Sequence, residues 1–502
     1  MRIPKDLKIQ SITGIYKKGD KSLPENYRPI SLTPHIIKIY ERVIRKKLVH
    51  YLESNNILSR NQHGFRKGRG CLTHLLNHID NIIQSIINGQ EYDVIYLDFS
   101  KAFDKVDHEV LIGKLKLCGI SGNLLGWISN FLEDRYQLVN IAGSKSFLAL
   151  VISGVPQGSV LGPILFLIYI NDLEDCLDSA KAESFADDTR LRKEISSCED
   201  MKKLQEDLNK VALWSQDNNM LLHEDKFELL TYRGSITHTK ALLNELPFIN
   251  ECLYYLTSQG KEILASPFVK AKDLGVYVSP DLSWTTHVNI VSELSKKMAS
   301  WVLSVFTSRI ADVMLTLFKT MVRSILEYCC PVWCPSRLAD IQKIESTQRS
   351  FTRYISKCKG MTYWERLKAL DLFSLQRRRE RYIIIHIWKI INNQAPNDIG
   401  VSHYNNARLG VKCKIPYLPN SAARSAKTAY DNSFGVRGPK LWNILPKNIN
   451  SIDNLELFKK RLTKFLKDSF PDQPPVHGYS CSNSNSLLDW AGASASGLQQ
   501  IA

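Results

Sequence analysis

Two adjacent carboxylates stand in an apolar setting, Phe185-Ala186-Asp187-Asp188-Thr189, and a third, Asp98, follows the run Tyr92-Asp93-Val94-Ile95-Tyr96-Leu97. Side-by-side aspartates repel one another and cost stability when buried, unless a cation neutralises them. Hard oxygen donors suit Mg²⁺, which takes few carboxylates plus substrate phosphates. Three aspartates meeting at strand ends is the arrangement that two-metal phosphoryl chemistry requires. The plainer alternative is a hairpin tip with no chemistry; a strand leading into Asp98 weighs against it.

The elements that must carry these residues are legible in outline. Apolar spacing predicts helices over Ile36–Leu52 and Leu72–Ile87, and the strand ending at Asp98 follows. His108–Cys118 and Asn123–Leu132 read as helices, and Tyr136–Ile141 with Phe147–Ile152 as two short strands. Gly154-Val155-Pro156-Gln157-Gly158-Ser159 is a tight turn. It leads into a buried helix over Ser159–Asp172; Phe185 and Thr189 then flank the carboxylate pair in a hairpin, and Cys198–Trp214 is amphipathic. From about residue 285 to Asn393 the pattern is mostly helical, 394–440 is less periodic and basic, and the Ser/Asn/Gly/Ala-rich tail from Pro474 reads as disordered.

Composition sets the class of partner. The 502-residue chain is 44% apolar and carries a formal net charge of +16. Residues 1–70 hold 16 Lys and Arg against 5 Asp and Glu, a net of +11, which reads as a phosphate-binding surface. The N-terminus Met1-Arg2-Ile3-Pro4-Lys5 has no signal-peptide pattern, and the run Val160–Ile170 is too short to span a bilayer. No membrane is expected. Eleven cysteines without framework spacing read as reduced thiols of an intracellular protein. Cys329, Cys330 and Cys334 lack the partners a zinc site needs.

Five segments in one order carry a resemblance. They are Tyr27-Arg28-Pro29-Ile30-Ser31-Leu32; His63-Gly64-Phe65-Arg66; Leu97-Asp98-Phe99-Ser100-Lys101-Ala102-Phe103-Asp104; Gly154-Val155-Pro156-Gln157-Gly158-Ser159-Val160-Leu161-Gly162-Pro163; and Phe185-Ala186-Asp187-Asp188. Together they resemble the reverse transcriptase of non-LTR (LINE-type, jockey-like) retrotransposons, from about residue 10 to about residue 470. The resemblance implies an α+β right-hand polymerase with fingers, a ferredoxin-like palm, a helical thumb and a helical C-terminal extension. The expected bounds are 1–90 for fingers, 91–284 for palm and 285–356 for thumb. A helical, basic extension over 357–473 and a disordered tail over 474–502 complete the expectation.

The resemblance also implies an activity: templated extension of a DNA primer on an RNA template with dNTPs, by target-primed reverse transcription. Asp98, Asp187 and Asp188, with the backbone carbonyl of Phe99, match the ligands of two Mg²⁺ ions, for which Mn²⁺ can substitute. Lys17 and Arg28 match fingers residues that neutralise the triphosphate, with Lys18 as the alternative to Lys17. Phe103 matches an aromatic gate against the ribose 2′-OH, its plain alternative being a core Phe. Gln157 and Gly158 match a turn that touches the nucleotide and template, where glycine lets backbone approach a base pair. Lys226 matches a candidate general acid for pyrophosphate, although His223 stands where the family carries Asn. Asp104 and Asp107 read as turn or cap residues.

Relatives of full length carry an endonuclease before the polymerase, so the expected partners include an endonuclease supplied in trans. Nuclear localisation follows from target-primed chemistry, with a cytoplasmic ribonucleoprotein as the other location. The alternative functional reading is a truncated, catalytically silent remnant or RNA-binding module that keeps the fold. A group II intron-like maturase is a third.

Overall fold

The computed structural model describes residues 3–223, 226–232, 254–258, 261–267, 270–418, 424–469, 472 and 486–489. They form two compact units. The first comprises 1–70, 93–231 and 240–268; the second comprises 71–92, 232–239 and 269–502. This division does not follow the linear order of the expected segments, because 71–92 packs with the C-terminal half.

In the first unit, β1 (Ile9–Tyr16) and β2 (Tyr27–Leu32) form an antiparallel ribbon with Tyr16 opposite Tyr27. Residue spacing over 9–32 does not by itself signal these strands. Helix α1 (His35–Ser54) follows, then α2 (Cys71–Ile87), which belongs to the second unit. Strand β3 (Glu91–Leu97) leads to a short helix α3 (Ala102–Lys105), then α4 (His108–Leu117) and α5 (Gly122–Leu132). Asp107 caps α4 by accepting from the N–H groups of Glu109 and Val110. Strand β4 (Arg135–Ile141) pairs in parallel with β1, Ile9 opposite Tyr136, and antiparallel with β5 (Ser144–Lys145) and β6 (Ala149–Val151).

Helix α6 (Gly162–Ile170) is apolar all round and buried nearly throughout, as a helix through a core must be. It packs in one continuous apolar core with α4, α5 and α7 (Cys198–Asp217). Strands β7 (Lys181–Phe185) and β8 (Asp188–Ile195) form the expected hairpin, with Phe185 opposite Asp188. They extend a sheet of order β12-β9-β3-β8-β7, where β9 is Glu228–Tyr232 and β12 is Ser266–Pro267. β3 is the central strand and is buried on both faces, which explains the run Val94-Ile95-Tyr96-Leu97 on its C-terminal half. A sheet of this make-up, backed by α6 and α7, is the palm of a right-hand polymerase.

The second unit is mostly helical. It holds β13 (Ala271–Asp273), β14 (Val276–Val278) and the long helices Thr285–Val305, Leu338–Thr352 and Leu375–Ile391. A β-hairpin over 403–413 and the helices Arg424–Asn432, Phe434–Asn443 and Leu455–Ser469 follow. Arg377 and Arg379 are buried, and Arg378 pairs with Glu327. The buried Glu380 accepts from Arg437 (3.1 Å), from the Ser486 hydroxyl (2.6 Å) and from the Leu487 N–H (2.9 Å). Residues 486–489 of the tail expected to be disordered are therefore docked; the rest of 474–502 lies outside the described residues. The nine described cysteines are free thiols. Among the described residues no helix is long and apolar enough to cross a membrane.

A cavity of about 200 Å³ in this unit is lined by α2, by 281–284 and 332–340, and by 428–434. Asp80 lines it, and burial pushes its carboxyl up to about 6. A carboxyl raised above its unfolded value costs stability once pH exceeds the unfolded pKa, and the cost is complete above the folded one. Asp80→Asn is expected to stabilise this unit by about 1–3 kcal/mol at pH 7.5 and by almost nothing at pH 3.5. Urea unfolding at the two pH values checks this; an equal change at both would contradict it.

Candidate active site

Asp98 follows the last residue of β3; Asp187 lies in the β7–β8 turn and Asp188 is the first residue of β8. β3 and β8 are neighbours in the sheet, so Asp98 and the Asp187-Asp188 pair stand at ends of neighbouring strands. A second segment lies along Asp98: Phe99 bridges Leu222, His223 N–H donates to the Asp98 carbonyl at 2.7 Å, and Ser100 N–H donates to the Leu221 carbonyl at 2.8 Å. This ladder engages the Asp98 carbonyl and leaves that of Phe99 outside it. It also delivers Lys226, whose ammonium pairs with the Asp98 carboxylate. His223 contributes a backbone N–H to this placement, which an Asn would supply equally.

Charge converges on the same point. Burial raises the Asp187 carboxyl, and the positive charges of Lys17 and Arg28 pull it back down. Ile15 pairs with Arg28 on the β1–β2 ribbon, and Lys17 N–H donates to the Asn26 carbonyl (2.8 Å). Lys17 and Arg28 are therefore diagonal neighbours on one face. Burial lowers the Lys226 ammonium, and the nearby Lys17 and Lys18 lower it further. Lys18 does not figure at Asp187.

Phe103, on α3, is half-buried, stacked on Phe166 with centroids 4.3 Å apart and edge-on to Phe65 at 6.1 Å. Gln157 donates from its side-chain amide to Asp104 Oδ1 (2.9 Å), and its carbonyl accepts from Ser31 N–H (2.7 Å). Asp104 is thus not a cap, as its position suggested, but the anchor of Gln157. Gly158 has φ 124°, and a Cβ there would lie 2.5 Å from the Ser31 carbonyl oxygen. Backbone packing on β2 therefore requires glycine at 158.

Sequence reasoning missed two supports. The fully buried Glu41 accepts from the N–H groups of Val160 (2.6 Å) and Leu161 (2.9 Å), holding the entry to α6. Gln62 binds the backbone of Ala186. Both lie within or beside segments already singled out, but neither residue type advertises a role. His63 is buried and held neutral, its pKa lowered to about 3 by burial and by Arg69.

Among the described residues no three His, Cys, Asp or Glu side chains form one ready-made metal-ligand group. Carboxylates at two adjacent strand ends, one of them already bearing a cationic partner, are nonetheless hard donors that fit a divalent ion sharing its remaining positions with phosphate oxygens.

Carboxylates at ends of neighbouring strands, with Lys17 and Arg28 acting on Asp187, make up the candidate site. Residues 15–305 match the model of the family described as reverse transcriptase (RNA-dependent DNA polymerase). The chain belongs to this family. It is 28% identical over 398 residues to a probable RNA-directed DNA polymerase from transposon X-element of Drosophila melanogaster, covering 76% of this chain and 41% of that protein. It is 27% identical over 381 residues to the RNA-directed DNA polymerase from mobile element jockey of the same species, covering 73% and 39%. The chain thus spans about two fifths of the length of these relatives. A solved telomerase from Candida albicans, in complex with a fragment of telomeric RNA, is 13% identical. It aligns over 75% of this chain and 68% of its own at a TM-score of 0.41, too low to carry an argument.

Proposed function

We propose that this chain is the RNA-directed DNA polymerase of a non-LTR retrotransposon, extending a DNA primer on an RNA template by target-primed reverse transcription. The observation that supports the reading is the placement of Asp98 and Asp187-Asp188 at ends of the neighbouring strands β3 and β8, with Lys17 and Arg28 directing positive charge at Asp187. Asp98, Asp187, Asp188 and the Phe99 carbonyl would hold two Mg²⁺ ions, or Mn²⁺ in their place, which supply acidity to the primer 3′-OH and neutralise the leaving pyrophosphate.

The chain's own residues do the rest. Lys17 and Arg28 bind the triphosphate, Arg as a planar fork and Lys as a point charge. Lys226, its ammonium lowered by burial, gives a proton to a pyrophosphate oxygen. Gln157, oriented by Asp104, and Gly158 lie against the nascent base pair. In this reading the fingers are 1–90, the palm 91–284 and the thumb 285–356. The partners are the RNA template, the DNA primer, dNTPs and an endonuclease acting in trans, and the location is the nucleus. The silent-remnant alternative draws no support from an intact set of carboxylates.

Phe103 closes the pocket beneath the incoming sugar in this reading. Phe103→Val is then expected to raise ribonucleotide over deoxynucleotide incorporation by about 10²-fold. Single-nucleotide kinetics check it; an unchanged ratio with a lowered melting temperature would make Phe103 a packing residue only.

The test of the function is primer extension by the purified chain on an RNA template annealed to a DNA oligonucleotide, with Mg²⁺ and dNTPs, beside Asp187→Ala. Extension by the wild type alone supports the reading. Extension by neither protein, with RNA still bound, moves the assignment to an RNA-binding remnant.

A further inference from the structure

The hairpin that carries Asp187 does not suffice to hold it. Phe185 pairs with Asp188, so Ala186 and Asp187 are the two central residues of a tight turn. Ala186 has φ 59°, while Asp187 does not share that region. A two-residue hairpin with positive φ at its first central position is built for glycine there. An L residue with a Cβ adopts the left-handed region only when its surroundings insist.

The surroundings that insist come from another segment. Residues 61–63 run along the outer edge of β7, with Gln62 bridged in parallel to Ser184. Ser184 N–H donates to the Asn61 carbonyl (3.1 Å), and His63 N–H donates to the Ser184 carbonyl (2.9 Å). From this edge the buried Gln62 side chain reaches the turn. Its Oε1 accepts from Ala186 N–H (2.9 Å) and from Gly64 N–H (2.8 Å), and its Nε2 donates to the Ala186 carbonyl (3.4 Å). One amide thus grips both sides of the strained residue. Gly64 lies so near that a Cβ on it would stand 2.5 Å from the Ala186 nitrogen.

We infer that Gln62 is a positioning residue of the active centre: its side-chain amide fixes the left-handed Ala186 and so sets the direction in which Asp187 presents its carboxylate. The inference rests on the reading of Asp187 as a cation-binding carboxylate. The amide is required in kind. Glutamate could accept both N–H groups but could not donate to the Ala186 carbonyl, and it would add a like charge beside Asp187. Methionine matches glutamine in length and leaves both N–H groups without an acceptor.

The experiment measures Mn²⁺ binding by the full chain, using electron paramagnetic resonance, beside thermal melting and primer–template binding. Gln62→Met is expected to weaken Mn²⁺ binding about tenfold and to leave primer–template affinity unchanged. Adding Ala186→Gly is expected to recover much of the loss, because glycine takes φ near +60° without support. Mere packing by Gln62 would not be rescued by a change of backbone freedom at 186. If Gln62→Met melts far below the wild type, Gln62→Asn, which keeps the amide one methylene short of Ala186, replaces it. Mn²⁺ binding within twofold of wild type, or no recovery with Ala186→Gly, overturns the inference while leaving the catalytic reading standing. A wild type whose Mn²⁺ binding is untouched by Asp187→Asn overturns both.

Discussion

Asp187→Asn is expected to reduce primer extension by at least about 10³-fold, equivalent to roughly 4 kcal/mol of transition-state stabilisation. Asparagine keeps the size and planarity of the side chain. The backbone bonds of the turn, from Ala186 to Gln62, do not involve residue 187 and remain. What disappears is one negative charge at the point where Lys17 and Arg28 direct positive charge. Stability should move the other way. Burial raises the Asp187 carboxyl, so its ionised form is less favourable folded than unfolded at neutral pH. A neutral amide removes that penalty, and the melting temperature at pH 7 is expected to hold or rise slightly. Lost extension in a protein that melts no lower separates a catalytic carboxylate from a structural one. Extension within tenfold of wild type would remove Asp187 from the centre.

Glu183→Ala is expected to destabilise the first unit by about 3–5 kcal/mol. Glu183 is buried in β7, directly opposite Arg190 on β8. Its Oε2 meets Arg190 Nε at 2.9 Å and its Oε1 meets Arg192 Nε at 2.6 Å. Deleting this carboxylate takes the anion from between two enclosed guanidinium groups, a change that costs far more than the pair's net worth. Chemical denaturation checks the magnitude. The double change Glu183→Leu with Arg190→Met should recover part of the loss, since it removes one of the charges along with its partner. A cost below about 1 kcal/mol for the single change would mean that solvent reaches the arginines, against their burial.

The carboxylates were legible in the sequence because adjacent like charges in an apolar run are costly and demand a reason. Helix α1 was legible because its apolar residues recur at helical spacing; expectation and structure differ there by one or two residues at each end. The ribbon of β1 and β2 was not. Its residues mix glycine, serine and charge with weak alternation, and its pairing with β4 is parallel and distant in the chain, which leaves no local signal. Gln62 and Asp104 escaped for a related reason. A neutral amide and a carboxylate near a helix start have many ordinary uses, and only the approach of Ala186 and Gln157 reveals theirs.

The membership of α2 in the second unit has a consequence for how the chain is made. Twelve of its residues are buried, and most of the unit they belong to begins at residue 269. On the ribosome these elements emerge roughly 180 residues later, a wait on the order of ten to forty seconds at ordinary elongation rates. Through that interval a strongly apolar helix lacks most of its own unit, while the segments on either side of it are already able to assemble. Nascent chains stalled between residues 100 and 260 should therefore be good clients for chaperones that bind exposed apolar helices, and release should coincide with synthesis of the C-terminal half.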